Sequence, residues 1–181
     1  MRVITGAARG RKLKTLPGEE IRPTADRVKE GIFSAVQFDI EGRRFLDMFA
    51  GSGQIGIEAL SRGAVSCVFI DKLRQAVDII KENLETAALV SKATVLLGDY
   101  ASVLTGGLFE FDAVYIDPPY HEEQLLRALD FIKDYLSPAA VIICEHPVGY
   151  AVPDKVGDYR GYKQYTYGQT GVTLYRRNGE S

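Results

Sequence analysis

The chain has two cysteines, two histidines and no apolar run near the roughly 18 residues that a membrane span requires. Each scarcity closes a class of function. Cys67 and Cys144 sit inside the apolar runs Ser66-Cys67-Val68-Phe69-Ile70 and Val141-Ile142-Ile143-Cys144, and read as buried reduced thiols rather than a disulfide or metal pair. No Cys/His cluster has ligand spacing and no serine is paired with a candidate base, so neither a metal nor covalent catalysis is expected. Met1-Arg2-Val3-Ile4-Thr5-Gly6 does not open a signal peptide, which gives an expected cytoplasmic location and no membrane partner. Internal repeats and low-complexity stretches are absent too. What remains is ordinary for a globular domain: 181 residues, 46% hydrophobic and 25% charged, enough chain for one full core.

The net charge of −2 hides an asymmetry. Residues 1–29 hold Arg2, Arg9, Arg11, Lys12, Lys14, Arg22, Arg27 and Lys29 against Glu19, Glu20 and Asp26, a net of +5. Residues 30–181 therefore carry −7. A basic arm on an acidic body suits a polyanion met by one face. A solvated hairpin with clustered charges is the competing reading.

Residues 2–5 and 11–15 flank Gly6-Ala7-Ala8-Arg9-Gly10, which predicts a short β-hairpin. Pro17-Gly18 breaks the pattern. Thr24 is placed to cap a helix reaching about residue 38, with Val28, Ile32, Phe33 and Val36 at helical spacing. Residues 1–40 are thus expected to form a basic extension packed on a main domain of residues 41–181. From residue 44 strand and helix alternate. Strands are expected near 44–49, 66–71, 93–98, 112–117 and 139–145, and a helix at 73–88 with the stripe Leu73, Ala76, Val77, Ile80 and Leu84. This alternation predicts an α/β fold with a parallel sheet covered on both faces. Residues 161–167 and 171–176 close it as an antiparallel hairpin. Five parallel strands and a hairpin make seven strands, the plan of the Rossmann-like methyltransferases.

The first chemical motif, Asp47-Met48-Phe49-Ala50-Gly51-Ser52-Gly53, ends a strand in a carboxylate and a glycine turn. Gly51-Ser52-Gly53-Gln54-Ile55-Gly56 also matches G-x-G-x-x-G, which taken alone suits a dinucleotide enzyme. Asp47 tells against that, because its carboxylate would repel a pyrophosphate at the turn, whereas it suits the ammonium of a methionine moiety. Asp71 ends the second strand 24 residues later, where a carboxylate can accept both ribose hydroxyls. It can equally cap the helix after Lys72-Leu73, and the two roles are compatible. Asp99, in Leu97-Gly98-Asp99-Tyr100, is placed to accept an adenine amino group while Tyr100 packs near the ring. An ordinary strand-end turn accounts for the same two residues. Together these features describe a site for S-adenosylmethionine.

The second motif, Asp117-Pro118-Pro119-Tyr120, follows Asp47 by 70 residues at the end of the fourth strand. An exocyclic amine on a nucleobase is a poor nucleophile, because its lone pair is delocalised into the ring. The Asp117 carboxylate and the Pro118 carbonyl can accept from both N–H groups and favour the pyramidal form. The two prolines fix φ and remove backbone donors. Tyr120 offers a stacking face worth roughly 1–3 kcal/mol. The sulfonium is already an excellent methyl donor, so positioning supplies most of the acceleration and no strong base is needed. His121 reads as the start of the next helix, and His146 as structural.

On these residues the chain resembles the bacterial small-subunit rRNA guanine-N2 methyltransferases of the RsmD type, over nearly its full length. The most specific part is Arg2-Val3-Ile4-Thr5-Gly6, Arg9-Gly10-Arg11-Lys12-Leu13 and Arg22-Pro23-Thr24-Ala25-Asp26-Arg27-Val28-Lys29-Glu30, which looks like that family's N-terminal segment. Asp47 to Gly53, Asp71, Asp99-Tyr100 and Asp117 to Tyr120 match its cofactor and amine motifs, and Tyr167-Gly168-Gln169-Thr170 its closing hairpin. The resemblance implies S-adenosylmethionine held by Asp47, Phe49, Gly51, Gly53, Asp71, Lys72, Asp99 and Tyr100, with Asp117, Pro118, Pro119 and Tyr120 at the chemistry. It implies methylation of the N2 amine of one guanine in 16S rRNA, guanine 966 in the family, within an assembling small subunit. Nothing in the sequence suggests an obligate interface, so a monomer is expected. Phosphate contacts from Arg9, Arg11, Lys12, Lys14, Arg22 and Arg27 would give salt-sensitive, largely sequence-blind docking. The target base would be unstacked into the pocket. The D-P-P-Y motif alone also allows adenine N6 or a protein glutamine, and an RNA-binding assembly factor without turnover is a further reading. The basic arm favours nucleic acid, and intact Asp47, Asp71 and Asp117 favour an enzyme.

Overall fold

Strands form where apolar side chains alternate between two covered faces, and helices where they recur every third or fourth residue. The computed structural model describes residues 1–17, 23–105, 109–119 and 122–177. Its elements run α1 (Pro23–Ala35), β1 (Arg44–Asp47), α2 (Gln54–Ser61), β2 (Ser66–Asp71), α3 (Arg74–Ala87), β3 (Ala93–Leu97), α4 (Tyr100–Val103) and β4 (Phe111–Ile116). Then come α5 (Glu122–Ile132), β5 (Leu136–Pro147), β6 (Lys155–Val156), β7 (Tyr159–Tyr167) and β8 (Thr170–Arg177). The strands form one sheet in the order β3-β2-β1-β4-β5-β8-β7-β6. The first five are parallel and the last three antiparallel.

Successive residues of the parallel strands feed two cores. Phe45, Phe69, Tyr115 and Ile143 pack with Ile32, Phe33, Ile57 and Ile80 from α1, α2 and α3. Leu46, Ile70, Ile116 and Ile142 pack with Leu125, Leu129 and Ile132 of α5 on the opposite face. Cys67 and Cys144 fall in different cores, both buried and unbridged, and burial pushes both thiols up.

Four expectations need correction. Among the described residues the sheet has eight strands, not seven, because Lys155 and Val156 pair with Arg160 and Tyr159. Two residues are too few to show an alternation. The N-terminal hairpin is shorter than expected: around the Arg2–Lys12 bridge the Val3, Gly10 and Leu13 N–H groups donate to the carbonyls of Arg11, Val3 and Met1, while the donors that follow Val3 turn to α2. Ile4 and Thr5 donate to Glu58, and Ala7 and Ala8 to Ser61. Helix α1 begins at Pro23, so Thr24 lies inside its first turn, where proline's fixed φ suits the start. Leu73 precedes α3 and is exposed, while Asn83 takes a buried place in the stripe.

Beyond β1 the chain runs outward through β2 and β3, and beyond β4 it runs the other way to β5. The loops after β1 and β4 therefore diverge and open a crevice at the carboxyl ends of these two strands.

Candidate active site

The turn after β1 passes through Gly51 and Gly53 at φ of 53° and 77°, a conformation that costs any residue with a side chain. Asp71 fastens it from the end of β2. Its Oδ2 accepts the Gly51 N–H at 2.9 Å, and its Oδ1 accepts the Leu73 N–H at 2.8 Å. Asp71 thus makes a local turn and does not cap α3, which begins at Arg74. The third glycine of the motif serves packing: a Cβ on Gly56 would meet the Phe69 ring at 2.3 Å.

Beneath the turn lies Asp47, 1% exposed. Its Oδ2 accepts the Gly56 N–H at 2.9 Å, while its Oδ1 is buried without a protein partner. Ser52 Oγ and Gln54 Oε1 are buried in the same way. Burial raises the Asp47 carboxyl to about 7, with the Asp71 charge adding to the effect and the Gly56 hydrogen bond opposing it. Two buried acceptors and a hydroxyl at one turn fit a ligand that brings donors, as an ammonium does, and not a pyrophosphate.

In front of this turn a cavity of about 610 Å3 opens. Phe49, Gly51, Asp71, Lys72 and Tyr100 line it, whereas Asp47, Gly53 and Asp99 are not among its wall residues. Asp99 caps α4 by accepting the Ala101 N–H at 2.9 Å and pairs with Lys72 at 2.6 Å, which holds its carboxyl below the usual range. Tyr100 is gripped edge-on by Phe49 and Phe131, with ring centroids 5.6 and 5.1 Å away.

Asp117, Pro118 and Pro119 form the facing wall. Tyr120 and His121 lie outside the described residues. Beside Asp117, at the end of the next strand, stands Glu145, also on the cavity. The Tyr115 hydroxyl donates to Glu145 Oε2. Burial raises the Glu145 carboxyl, and the Tyr115 hydrogen bond opposes the rise. His146 is buried, with Nε2 against Thr173 Oγ1 and Nδ1 against the Pro147 carbonyl, each at 3.0 Å. Both ring nitrogens are thus engaged with the protein itself.

The basic arm reaches the same cavity, since Leu16 lines it. Asn83 splices the two: its Oδ1 accepts the Lys14 N–H at 2.7 Å, and its Nδ2 donates to the carbonyls of Lys14 and Ser52 at 3.0 and 2.9 Å. Arg9, Arg11, Lys12 and Arg27 are exposed. Lys14 is exposed too, but its ammonium pairs with Glu82. Arg22 lies outside the described residues. Lys29 does not belong to the basic surface: it is 1% exposed, 3.7 Å from Glu58, and burial lowers its pKa.

A family model described as conserved hypothetical protein 95 matches residues 1–176. The chain belongs to this family. It is 41% identical over 184 residues to the "Putative rRNA methyltransferase YlbH" of Bacillus subtilis (strain 168), covering 99% of this chain and 100% of that one. It is 31% identical over 182 residues to ribosomal RNA small subunit methyltransferase D of Escherichia coli (strain K12), covering 99% of this chain and 91% of the relative. The solved structure of YhhF from Escherichia coli superposes with a TM-score of 0.88 at 31% identity and 99% coverage of each chain. The fold is that of the S-adenosylmethionine-dependent methyltransferases, and the expected cofactor agrees with these neighbours.

For this member of the conserved hypothetical protein 95 family, sequence reasoning missed Leu16, Glu145, Tyr150 and Thr170 on the cavity wall, and Glu58 and Asn83 that fasten the arm. Glu145 could have been found, because it is the acidic residue after an apolar strand, as Asp47, Asp71 and Asp117 are. Among the described residues no group of His, Cys, Asp and Glu is arranged to hold a metal ion, and no helix is long and apolar enough to cross a membrane.

Proposed function

We propose that the protein transfers a methyl group from S-adenosylmethionine to the N2 amine of a guanine in 16S rRNA, with guanine 966 as the base that the RsmD-type resemblance names. One observation carries this reading: the Gly51 turn fastened by Asp71 and the Asp117-Pro118-Pro119 rim line one cavity on the β1/β4 crevice. The names of the relatives support rRNA as the substrate class.

S-adenosylmethionine supplies an electrophilic methyl when bound. Asp47, Ser52 and Gln54, with their buried acceptors, would receive its ammonium. Asp71 has lone pairs beyond those used by Gly51 and Leu73, and these would accept the ribose hydroxyls. Phe49, Tyr100, Lys72 and Asp99 would hold the adenine. On the facing wall Asp117 accepts one N–H of the target amine and the Pro118 carbonyl the other, which turns the nitrogen lone pair out of conjugation. The prolines hold that turn, and Tyr120 stacks on the base. Asp117 or solvent takes the proton released once the nitrogen carries its new methyl, so positioning rather than strong base catalysis sets the rate. Arg9, Arg11, Lys12 and Arg27 meet phosphates and fix the register of the RNA.

The test is to incubate the protein with labelled S-adenosylmethionine and small subunits lacking their base methylations, then digest the RNA and identify the labelled nucleoside. N2-methylguanosine is the expected product, and a labelled adenosine overturns the base assignment. Asp117→Ala is expected to lower turnover on the order of 100-fold or more while cofactor affinity stays within about threefold. Turnover at the wild-type rate removes Asp117 from the chemistry.

A further inference from the structure

We infer that Glu145 is the specificity-determining residue of this site, its carboxylate accepting the guanine N1–H that lies beside the amine held by Asp117. This assignment rests on the guanine-N2 reading above and goes beyond it, because an Asp117-Pro118-Pro119 rim grips any planar amine and cannot by itself tell guanine from adenine.

The placement follows from strand register. Strands β4 and β5 are parallel neighbours in which Ile116 pairs with Cys144, so Asp117, the first residue past β4, follows at the level of Glu145 on β5. Adjacent strands run about 4.8 Å apart, which sets the two carboxylates side by side at the rim. Ile116 and Cys144 bury toward α5, so by alternation Asp117 and Glu145 take the other side, with Tyr115 and Ile143. Both residues line the cavity. The Tyr115 hydroxyl holds Glu145 Oε2 and thereby fixes the rotation of the carboxylate, which assigns Oε1 to the base.

The chemistry then separates the bases. On its Watson–Crick edge guanine presents the N1–H donor next to its N2 amine. Adenine presents a bare N1 acceptor next to its N6 amine. A second carboxylate at that position accepts from the first and repels the second. A half-buried carboxylate is also costly to keep on a wall where it receives only one hydroxyl. A solely structural Glu145, present to satisfy the Tyr115 hydroxyl, would leave base choice unchanged when it is altered.

The experiment uses small subunits reconstituted with 16S rRNA that carries either guanine or 2-aminopurine at the methylated position. 2-Aminopurine keeps the C2 amine and lacks the N1–H. It also lacks O6, so the diagnostic quantity is the change in the guanine-to-2-aminopurine ratio of kcat/KM between enzymes, not the ratio itself. Wild type is expected to prefer guanine by roughly 10- to 100-fold, the loss of one hydrogen bond to a charged group. Glu145→Gln, whose amide can accept or donate, is expected to bring the ratio within about threefold at unchanged cofactor affinity. Tyr115→Phe keeps the carboxylate but frees its rotation, and is expected to fall between the two. An unchanged ratio in both variants, or a wild type that treats the two bases alike while making N2-methylguanosine, overturns the role of Glu145 and leaves the guanine-N2 reading standing. A wild type that makes no N2-methylguanosine overturns that reading itself, and this assignment with it.

Discussion

A carboxylate that is 1% exposed and accepts one protein hydrogen bond has lost most of its hydration, and Asp47 accordingly holds its proton up to about pH 7. This is well above the roughly 3.9 of an unfolded aspartate, so the folded protein binds the extra proton between about pH 4 and 7. The stability that Asp47 contributes is greatest below that window and falls as pH rises through it. A cation beside Oδ1 reverses the preference, since it favours the ionised carboxylate. Binding the methionine ammonium therefore expels a proton at acidic pH. Cofactor affinity is expected to tighten by up to about tenfold per pH unit toward 7, then weaken as the α-amino group deprotonates near about 8. Titration calorimetry across this range checks it, and Asp47→Asn should flatten the acidic limb. Affinity that does not change between about pH 5.5 and 7 separates Asp47 from the ammonium. Asp47 itself was legible in the sequence because it ends an apolar run just before a glycine turn. Its missing partner was not legible, because burial of one oxygen and satisfaction of the other depend on how α2 lies over β1.

The N-terminal arm shows how an element can be recognised and its anchoring still missed. The alternation in residues 2–5 and 11–15 is real, and Val3 and Leu13 are buried. Val3, Gly10 and Leu13 donate across the hairpin to the carbonyls of Arg11, Val3 and Met1, but the donors that follow Val3 turn to α2. Glu58, wholly buried on α2, accepts the Ile4 and Thr5 N–H groups at 2.8 and 3.0 Å and Arg62 Nε at 2.9 Å, with the Lys29 ammonium at 3.7 Å. In a single sequence Glu58 looks like any polar residue of a helix, since the backbone donors it receives come from more than fifty positions earlier. The five parallel strands and α3, by contrast, were legible because local apolar periodicity alone defines them. Deleting the Glu58 carboxylate leaves the buried Lys29 without its principal counter-charge and the Ile4 and Thr5 N–H groups without their acceptor, at a cost of about 3–5 kcal/mol. Glu58→Ala is thus expected to lower the melting temperature by about 6–20 °C and to open the arm to protease. A loss under about 1 kcal/mol would mean that Val3, Ala8 and Leu13 dock the arm by packing alone.

Over the whole molecule, charge and connectivity act together. The body beyond residue 29 carries a net −7, which opposes a polyanion, while the exposed Arg9, Arg11, Lys12 and Arg27 would attract one, as the proposed function requires. The arm is wired to the cavity: Asn83 joins the Lys14 backbone to the Ser52 carbonyl, and Leu16 forms part of the wall. On the proposed reading, RNA held by its phosphates on the arm would be held in register with the site that receives its base. The arm is anchored through Glu58, Ser61 and Asn83 to backbone atoms, so the exposed side chains of Arg11 and Lys12 can be changed without undoing the anchors. Replacing both with glutamine is expected to leave the melting temperature and cofactor affinity as they are. It should reduce the slope of log K for the RNA substrate against log salt by roughly 0.7–0.9 for each lost phosphate contact. Because an electrostatic contact without base readout weakens all sequences alike, the loss should be nearly equal for methylated and unmethylated RNA. A slope that does not move would make the arm a solvated surface, and RNA would then have to enter over the acidic body, past the charge that opposes it.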